Sequence, residues 1–277
     1  MNFLGSTARC GVIKAGEMLS EAGIDDATFD AKQLVAFALG LSRLRPTDYR
    51  RILSEEQAKT LEDCIQRRIK REPLQYILGE WEFMGLPFRV RPGVLIPRPD
   101  TETLCEAAET LIRRNGYRTL LDICTGSGCI GIALANRCGI HATLADISSV
   151  CIETAGENAK LNSVGCTIVQ SDLFDGITGS FDLITANPPY IASDIMQNLQ
   201  EEVRFEPALA LDGGEDGLSF YRRIHDTFRP HLNAGGALIL EIDYDQGADV
   251  TKLFADCGKI NMLRDLGGNE RVVLVET

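Results

Sequence analysis

The sequence predicts an α/β protein in which a doubly wound sheet follows a small all-α domain and a β-hairpin linker. Three observations predict this order. Residues 6–71 repeat apolar side chains at helical spacing, residues 72–99 are rich in proline and glycine, and from Thr119 onward apolar strands alternate with helices. Because strands that alternate with helices form a parallel sheet, we expect helices on both faces of that sheet.

The amino-terminal part is expected to form a bundle of about four helices. Turn-forming residues separate its apolar segments, and Ser54 stands where the N-cap of one helix is expected. We place the helical domain at residues 1–75, the hairpin linker at 76–99 and the α/β domain at 100–277. Six strands are predicted in the last domain, with the sequences LLDIC, ATLAD, TIVQ, FDLITA, GGALILEI and RVVLVE.

The composition is that of an ordinary folded protein. Its 277 residues are 44% hydrophobic and 25% charged, which argues against a disordered, collagen-like or coiled-coil chain. No apolar run approaches the roughly 18 residues of a membrane span. The amino terminus lacks the pattern of a signal peptide. We therefore expect a cytoplasmic protein without a membrane partner.

The net charge of −12 lies in the second part of the chain. Residues 1–90 contain 13 basic and 13 acidic residues, whereas residues 91–277 contain 15 and 27. Since phosphate contacts need a surplus of Lys and Arg, we expect no stable nucleic-acid binding. Two basic clusters in the helical part either contact RNA or an acidic protein surface, or form a solvated helix face. They are Arg43, Arg45, Arg50 and Arg51, and Arg67, Arg68, Lys70 and Arg71.

Cysteine and histidine spacing argues against disulfides and metals. The nine cysteines are scattered without a CxxC pair, which favours reduced thiols in a chain of this length. His141, His225 and His231 show no metal-ligand spacing. We therefore expect no bound metal.

A glycine-rich turn follows the first strand of the α/β domain, in LDICTGSGCIGIA. Gly126 and Gly128 permit a tight turn and close approach of a ligand at a helix N-terminus. Asp146 ends the next strand, 24 residues beyond Asp122, where a carboxylate can accept hydrogen bonds from ribose hydroxyls. The alternative for Asp146 is an N-cap of the following helix. Together these features predict an adenosine-containing ligand.

The spacing of the turn favours one adenosine ligand over another. A dinucleotide fold needs GxGxxG, whereas Cys124 stands at the first glycine position here. The turn resembles the acidic-x-Gly-x-Gly-x-Gly signature of class I S-adenosylmethionine methyltransferases, so we predict S-adenosyl-L-methionine rather than NAD. After the third strand, Asp172 and Leu173 either flank the adenine or form a plain turn. The predicted cofactor contacts are Asp122, Ile123, Cys124, Thr125, Gly126, Gly128, Asp146, Asp172, Leu173 and Asn187.

The loop Asn187-Pro188-Pro189-Tyr190, after the fourth strand, is the most specific signal in the chain. The prolines hold Asn187 and Pro188 extended, at the sheet edge where ligands bind in such folds. The side-chain oxygen of Asn187 and the carbonyl of Pro188 can each accept an N–H from a substrate amide or amine. Tyr190 can stack on a planar group. We predict catalytic roles for Asn187, Pro188 and Tyr190, with Pro189 as a further substrate contact.

These segments together resemble the HemK-type family, the peptide chain release factor N5-glutamine methyltransferases. The resemblance covers almost the whole chain: LIPRPDTE and NPPY carry most of it, with EPLQYILGEWEFMGLPFRV, LDICTGSGCIGIA, FEPALALDGGEDGL and GGNERVV. It implies the class I S-adenosylmethionine-dependent methyltransferase fold and a helical domain that docks on the release factor. It also implies methylation of the glutamine in the Gly-Gly-Gln motif of that factor.

The resemblance extends to single residues. It implies cofactor contacts at Asp122 to Gly126, Asp146 and Leu173, and a substrate loop at Asn187 to Tyr190. Cys124 stands where glycine is common in the family. Leu173 stands where an aromatic can occur, which is expected to loosen adenine stacking. Neither departure is expected to abolish binding.

Other activities remain open from the sequence alone. The NPPY loop also occurs in N6-adenine DNA methyltransferases, which flip their target base, and in a sibling family that methylates glutamine in a ribosomal protein. A non-enzymatic nucleoside-binding module is a further alternative. Arg98 and Glu102 either close over the site and hold the linker to it, or form a local salt bridge.

Overall fold

The computed structural model describes residues 3–277, which form two compact units. The first unit runs to Gly79 and includes the later segment Glu201–Phe205. The second consists of Glu80–Gln200 and Glu206–Thr277.

The first unit is helical. Leu19, Leu34, Leu61 and Ile65 are fully buried in its core. Its elements are α1 (Ala8–Glu21), α2 (Ala27–Ala38), a 3-10 turn (Asp48–Arg50), α3 (Glu55–Ile69) and α4 (Leu74–Leu78).

The ends of these helices follow from their sequences. The Ser54 hydroxyl accepts from the backbone N–H of Gln57 at 3.3 Å, and the Gln57 side chain accepts from the Ser54 N–H, so the predicted N-cap of α3 is confirmed as a capping box. The last helix, α4, ends at Gly79, which adopts φ +76°. The domain boundary predicted after residue 75 therefore falls inside α4.

The second basic cluster is a solvated helix face only in part, at Arg67 and Lys70. Arg68 is only 8% exposed, and its guanidinium donates to Asp30 at 2.7 Å and to Glu202 at 3.1 Å. Arg71 also pairs with Glu202, at 3.2 Å. Because a buried guanidinium needs carboxylate partners, these charges are used inside the unit. Arg43, by contrast, is exposed, as are Arg45, Arg50 and Arg51.

The second unit combines a hairpin with a seven-stranded sheet and its helices. Its elements are β1 (Glu80–Phe83), β2 (Leu86–Arg89), α5 (Thr101–Asn115), β3 (Thr119–Ile123), α6 (Cys129–Cys138), β4 (His141–Asp146), α7 (Ser149–Leu161), β5 (Cys166–Gln170), β6 (Phe181–Ala186), α8 (Ser219–Thr227), β7 (Leu232–Glu241), α9 (Gly247–Leu253), β8 (Lys259–Arg264) and β9 (Glu270–Glu276).

The hairpin of β1 and β2 is packed into the second unit. Its two-residue turn, Met84-Gly85, has positive φ at both positions, as tight hairpins require. Phe88 is fully buried in the core that α5 and α6 share with the sheet. The buried amide of Asn158, on α7, accepts from the N–H of Arg89 at 2.7 Å and donates to its carbonyl at 3.1 Å. The hairpin is thereby tied to the helix layer.

The α/β fold class is confirmed, but the sheet is mixed where a parallel one was predicted. Its order is β5-β4-β3-β6-β7-β9-β8, and β9 runs antiparallel to both of its neighbours. The reason is the short turn after β8, where the Asp265 side chain accepts from the N–H of Asn269 at 2.9 Å. A turn of this length joins antiparallel strands, so β9 runs antiparallel to β8. In the sheet, β9 lies between β8 and β7. The prediction of six strands missed β8.

This sheet order places a topological switch point between β3 and β6. From there the chain winds outward in both directions, which leaves a crevice at the carboxyl ends of the strands. Side chains along β3 alternate between the two cores, with Leu120 in one and Leu121 in the other. The glycine turn and the NPPY loop follow the two strands at the switch point, so the fold brings them together.

All nine cysteines are free thiols. No helix in the described residues has both the length and the apolar content needed to cross a membrane.

Candidate active site

A cavity of about 370 Å³ lies at the carboxyl ends of β3, β4 and β6, entirely within the second unit. Its volume falls in the range of roughly 300–1,000 Å³ typical of small-molecule sites. Eight predicted site residues line it: Cys124, Thr125, Gly126, Asp146, Asp172, Leu173, Asn187 and Pro189. Five do not: Asp122, Ile123, Gly128, Pro188 and Tyr190.

The turn after β3 has a left-handed backbone at three positions. Cys124 has φ +55°, Gly126 +56° and Gly128 +82°. A Cβ at Gly128 would lie 2.8 Å from the Ile132 side chain and 3.2 Å from that of Ala155, so the close packing of α6 on α7 requires glycine there. Cys124 carries a Cβ in a conformation that costs L-residues about 1–2 kcal/mol. The preference for glycine at this position thus has a backbone cause.

Asp122 lies behind this turn and is fully buried. Its carboxylate accepts from the hydroxyls of Thr125 and Thr185, the latter at 2.8 Å, and from the N–H of Gly131 at 3.2 Å. Burial raises the pKa of Asp122 to about 6, against these hydrogen bonds. Asp122 therefore holds the turn from behind, and its direct contact with the cofactor stays a prediction.

Asp146 reaches the cavity from the end of β4. One carboxylate oxygen accepts from the N–H of Gly126 at 2.9 Å and the other from the N–H of Ser148 at 2.9 Å. Ser148, rather than Asp146, is the N-cap of α7. Burial raises the pKa of Asp146. The thiol of Cys151 and the N–H of Ile147 are further hydrogen-bonding neighbours of this carboxylate.

The end of the cavity near β5 contains residues that the sequence analysis missed. Leu173 lines it with φ +49°, and Phe220 and Arg223 join it from α8. That Leu173 packs on the adenine stays a prediction. The Arg223 guanidinium lies 5.6 Å from the Phe220 ring centre and pairs with Asp172 at 2.8 Å. The Phe220 ring thus supplies an aromatic surface to the cavity, although Leu173 stands where an aromatic residue can occur in the family. Because the residues of α8 form a strongly amphipathic pattern, the sequence indicates an ordinary core position for Phe220 and not a site residue.

The linker forms another wall of the cavity, from Gly93 to Thr101. Glu206 holds it, because its carboxylate accepts from the Ile96 N–H at 3.0 Å and pairs with Arg98. The local salt bridge considered for Arg98 is therefore wrong. Glu102 instead accepts from the Met84 N–H at 3.0 Å, at the hairpin turn.

The NPPY loop presents Asn187 and Pro189 to the cavity. Nδ2 of Asn187 lies 3.4 Å from the hydroxyl of Thr101 at the start of α5. Tyr190 packs against the core on the α8 side of the sheet, and burial raises the pKa of its phenol. The stacking role of Tyr190 stays a prediction.

Residues far along the chain support this loop. Nε2 of Gln246 donates to the carbonyl of Tyr190 at 2.9 Å and lies 3.3 Å from the carbonyl of Gly217. A Cβ at Gly217 would lie 2.4 Å from the Tyr190 oxygen, and one at Gly213 would lie 2.8 Å from the Tyr190 Cα. Both glycines belong to the stretch FEPALALDGGEDGL, for which no role was predicted. Its density of glycine was the available signal.

Glu241 is a further residue that the sequence analysis missed. It ends β7, is 1% exposed, and has the side chains of Thr101 and Asn187 as hydrogen-bonding neighbours. Burial raises the pKa of Glu241 to about 7, against these hydrogen bonds and the positive charge of Arg271. A glutamate at the end of the otherwise apolar strand ALILE was the signal for it.

One group of metal-ligating side chains occurs outside the cavity. Potential ligand atoms of His225, Asp256 and Cys257 lie within 4.8 Å of one another. The sequence spacing did not indicate this group, because His225 lies on α8 whereas Asp256 and Cys257 follow α9. Arg229 already supplies a positive charge 3.7 Å from the Asp256 carboxylate, which disfavours a cation there.

Comparison with known proteins matches both units to family models. Residues 12–79 match the model described as PrmC N-terminal domain, and residues 101–208 match the methyltransferase small domain.

Relatives of the whole chain are found in several bacteria. A release factor glutamine methyltransferase from Geobacter sulfurreducens is 41% identical over 92% of this chain and 91% of its own length. One from Fusobacterium nucleatum is 39% identical over 95% of this chain and 77% of its own length. Among solved structures, the catalytic domain of hMettl16 in complex with an RNA hairpin aligns with TM-score 0.59 and 16% identity, over 88% of this chain and 91% of that chain. At this identity the last match shows the fold alone.

Proposed function

The chain belongs to the release factor glutamine methyltransferase family, and on this premise we propose that it methylates N5 of the glutamine in the Gly-Gly-Gln motif of a peptide chain release factor. It is an S-adenosylmethionine-dependent enzyme. The observation that carries the proposal is the shared cavity, in which Asn187 and Pro189 of the NPPY loop face the same space as Gly126 and Asp146.

The residues around the cavity fit S-adenosylmethionine. When bound, this cofactor supplies an electrophilic methyl group on a sulfonium. Asp146 lines the cavity, where its carboxylate suits the ribose hydroxyls, and the apolar faces of Leu173 and Phe220 suit the adenine. Cys124 and Thr125 complete the wall beside the turn.

The NPPY loop supplies the groups that orient the substrate. An amide nitrogen is a poor nucleophile because its lone pair is delocalised. Oδ1 of Asn187 and the carbonyl of Pro188 each accept one N–H of the glutamine amide, which aims the nitrogen at the methyl carbon and favours the positive charge that develops on it. The nitrogen forms its bond to carbon as the carbon–sulfur bond breaks with its electron pair passing to sulfur. The nitrogen then loses one proton to water.

The helical unit is proposed to dock on the release factor. It carries exposed arginines at positions 43, 45 and 50 and exposed aromatic rings at Phe29 and Phe37, two turns apart on α2. Reversing charge with Arg43→Glu and Arg45→Glu is expected to raise KM for the intact release factor several-fold. The same variant should methylate a short Gly-Gly-Gln peptide at the wild-type rate. An equal effect on both substrates would contradict docking through this surface.

The proposed activity is tested by a radiolabelled methyl-transfer assay. Purified release factor, a ribosomal protein and adenine-containing DNA are offered in parallel, and the product is mapped by mass spectrometry. Label is expected on the glutamine of Gly-Gly-Gln and is expected to vanish when that glutamine is replaced by glutamate. Label on the ribosomal protein or on DNA would instead establish one of the two alternative substrates. The cytoplasmic location predicted from the sequence accords with a substrate of the translation machinery.

A further inference from the structure

Glu241 stands directly behind the substrate loop. Its strand neighbour β6 pairs with β7 so that Ala186 lies opposite Leu240, which puts Glu241 beside Asn187 in the register. The backbone is anchored, because the Tyr221 hydroxyl donates to the Glu241 carbonyl at 2.8 Å. The backbone that carries this side chain is therefore held in place relative to the loop.

The carboxyl group of Glu241 is only partly satisfied. The side chains of Thr101 and Asn187 are its hydrogen-bonding neighbours, while Oε2 has no hydrogen-bond partner among the described residues. Leaving a buried carboxylate oxygen without a partner costs free energy, and an apolar residue would avoid that cost. Its neighbours Thr101 and Asn187 line the cavity, so this group lies directly behind the cavity wall and is a candidate for a functional role.

The amide of Asn187 can face its neighbours in two ways. Nδ2 points to Thr101 at 3.4 Å, on the side where Glu241 also lies, which leaves Oδ1 for the cavity. An ionised Glu241 stabilises this orientation because it can only accept hydrogen bonds. A protonated Glu241 can donate to Oδ1 instead, and this would turn Nδ2 toward the substrate amide, where two donors meet.

We propose that Glu241 is a positioning residue for methyl transfer, whose carboxylate accepts from Nδ2 of Asn187 and so keeps Oδ1 aimed at the glutamine amide. The proposal rests on the function proposed above. The negative charge also favours the positive charge that develops on the substrate nitrogen. Since the ionised form is the active one, turnover rises with pH as Glu241 loses its proton.

Several titratable or charged groups face Glu241 and set the context of that pH dependence. They are Asp100 before α5, Cys105 on α5, Cys129 on α6, Tyr190 after β6, Tyr221 on α8 and Arg271 on β9. Burial raises the pKa of Glu241 to about 7. Asp122, with a pKa of about 6, is nearby in the same unit, so the wild-type profile alone does not identify the titrating group.

The test compares the wild type with Glu241→Gln and Glu276→Gln. Glu276 ends β9 opposite Ala237, four positions before Glu241 on β7. It pairs with Arg114 and does not line the cavity, so this control makes the same chemical change outside the site. We measure kcat on the release factor from pH 5.5 to 9 and the Kd of S-adenosylmethionine by calorimetry. For Glu241→Gln we expect kcat at pH 8 to fall about 10- to 100-fold, as for a misplaced reacting group. Its Kd should stay within threefold, and the rise of kcat near pH 7 should be absent.

Each outcome decides the proposal. An unchanged kcat for Glu241→Gln, or a lower kcat with the wild-type rise near pH 7 retained, would overturn it. If Glu241→Gln fails to bind S-adenosylmethionine, Glu241→Asp replaces it. That variant is expected to keep a rise with pH at reduced kcat, and a wild-type rate would overturn the proposal. The function itself is decided separately, by whether the wild-type enzyme labels the Gly-Gly-Gln glutamine at all.

Discussion

The two sides of the cavity are built differently. On the cofactor side, Asp122, Cys124 and Gly126 lie within one strand and its turn, and Asp146 contacts that turn from the adjacent strand. On the substrate side, the NPPY loop is positioned by distant residues: Thr101 lies 86 positions from Asn187 in the chain, and Gln246 lies 56 from Tyr190. The cofactor side is therefore built mainly from one short segment of sequence, whereas the substrate side is built from segments that are distant in the sequence.

This difference predicts which property of the enzyme a substitution on each side of the cavity will change. A local turn depends on backbone conformation and on one or two carboxylates, so changes there should alter cofactor affinity. An assembled loop depends on the alignment of several elements, so changes there should alter turnover with little effect on cofactor affinity. The following predictions test that division, from the largest expected effect to the smallest.

Asn187→Ala removes the side-chain acceptor of the substrate loop. We expect kcat to fall about 100- to 1,000-fold, as when one group that stabilises transition-state charge is removed. The Kd of S-adenosylmethionine should change less than threefold. Single-turnover kinetics and calorimetry measure the two quantities. A comparable loss of cofactor affinity would mean that the two sides of the cavity are not separable.

Glu241→Gln should change the pH dependence of stability. The pKa of Glu241 is raised by burial from its ordinary value near 4.5 to about 7, so its contribution to stability is complete below pH 4.5 and is lost as pH rises through 7. Relative to wild type, the variant should gain up to roughly 3 kcal/mol between pH 5 and 8. Urea unfolding at both pH values measures this, and the effect of Asp122 cancels in the difference. If the difference in the free energy of unfolding between variant and wild type is the same at both pH values, burial does not raise the pKa of Glu241.

Asp146→Ala should weaken cofactor binding by about 10- to 100-fold. The variant loses the acceptors proposed for the ribose, and hydrogen bonds to a charged group are each worth about 1.5–3 kcal/mol. It also frees the N–H groups of Gly126 and Ser148. With saturating S-adenosylmethionine, kcat should recover to within a few-fold of wild type. Failure to recover would show that the turn also aligns the substrate.

Gly217→Ala should lower kcat about tenfold, because its Cβ would lie 2.4 Å from the Tyr190 carbonyl and displace the loop. Gly235→Ala is a matched control, since Gly235 has the same φ of +72° but open space around it. Both variants carry the backbone strain, which should cost Gly235→Ala about 1–2 kcal/mol of stability, and Gly217→Ala should lose more because its Cβ also meets the Tyr190 oxygen. Equal kcat values for the two would remove the assigned role of Gly217.

The smallest expected effect concerns Cys124. Cys124→Gly relieves the left-handed strain at φ +55°, whereas Cys124→Ala retains it while also removing the thiol. The glycine variant should be more stable than the alanine variant by about 1 kcal/mol in thermal or urea unfolding. If alanine is the more stable, strain at this position is not what favours glycine.

The sequence by itself determined the features that local geometry governs. Strand–helix alternation, the glycine turn, the NPPY loop and the Ser54 cap are each readable because hydrophobic period and φ preferences act over a few residues. The resemblance carried by LIPRPDTE and NPPY extended this to the family. The charge clusters were misread in part, because the partners of Arg68 lie up to 134 positions away.

Only the tertiary structure decided the rest. The insertion of β9 between β7 and β8, the aromatic wall from Phe220, the clamp of Gln246 on Tyr190 and the burial of Glu241 all join elements that are distant in sequence. The physical reason is the sheet order. Parallel strands bring their carboxyl ends to one edge whatever their separation along the chain, and the residues meeting there cannot be paired from spacing alone.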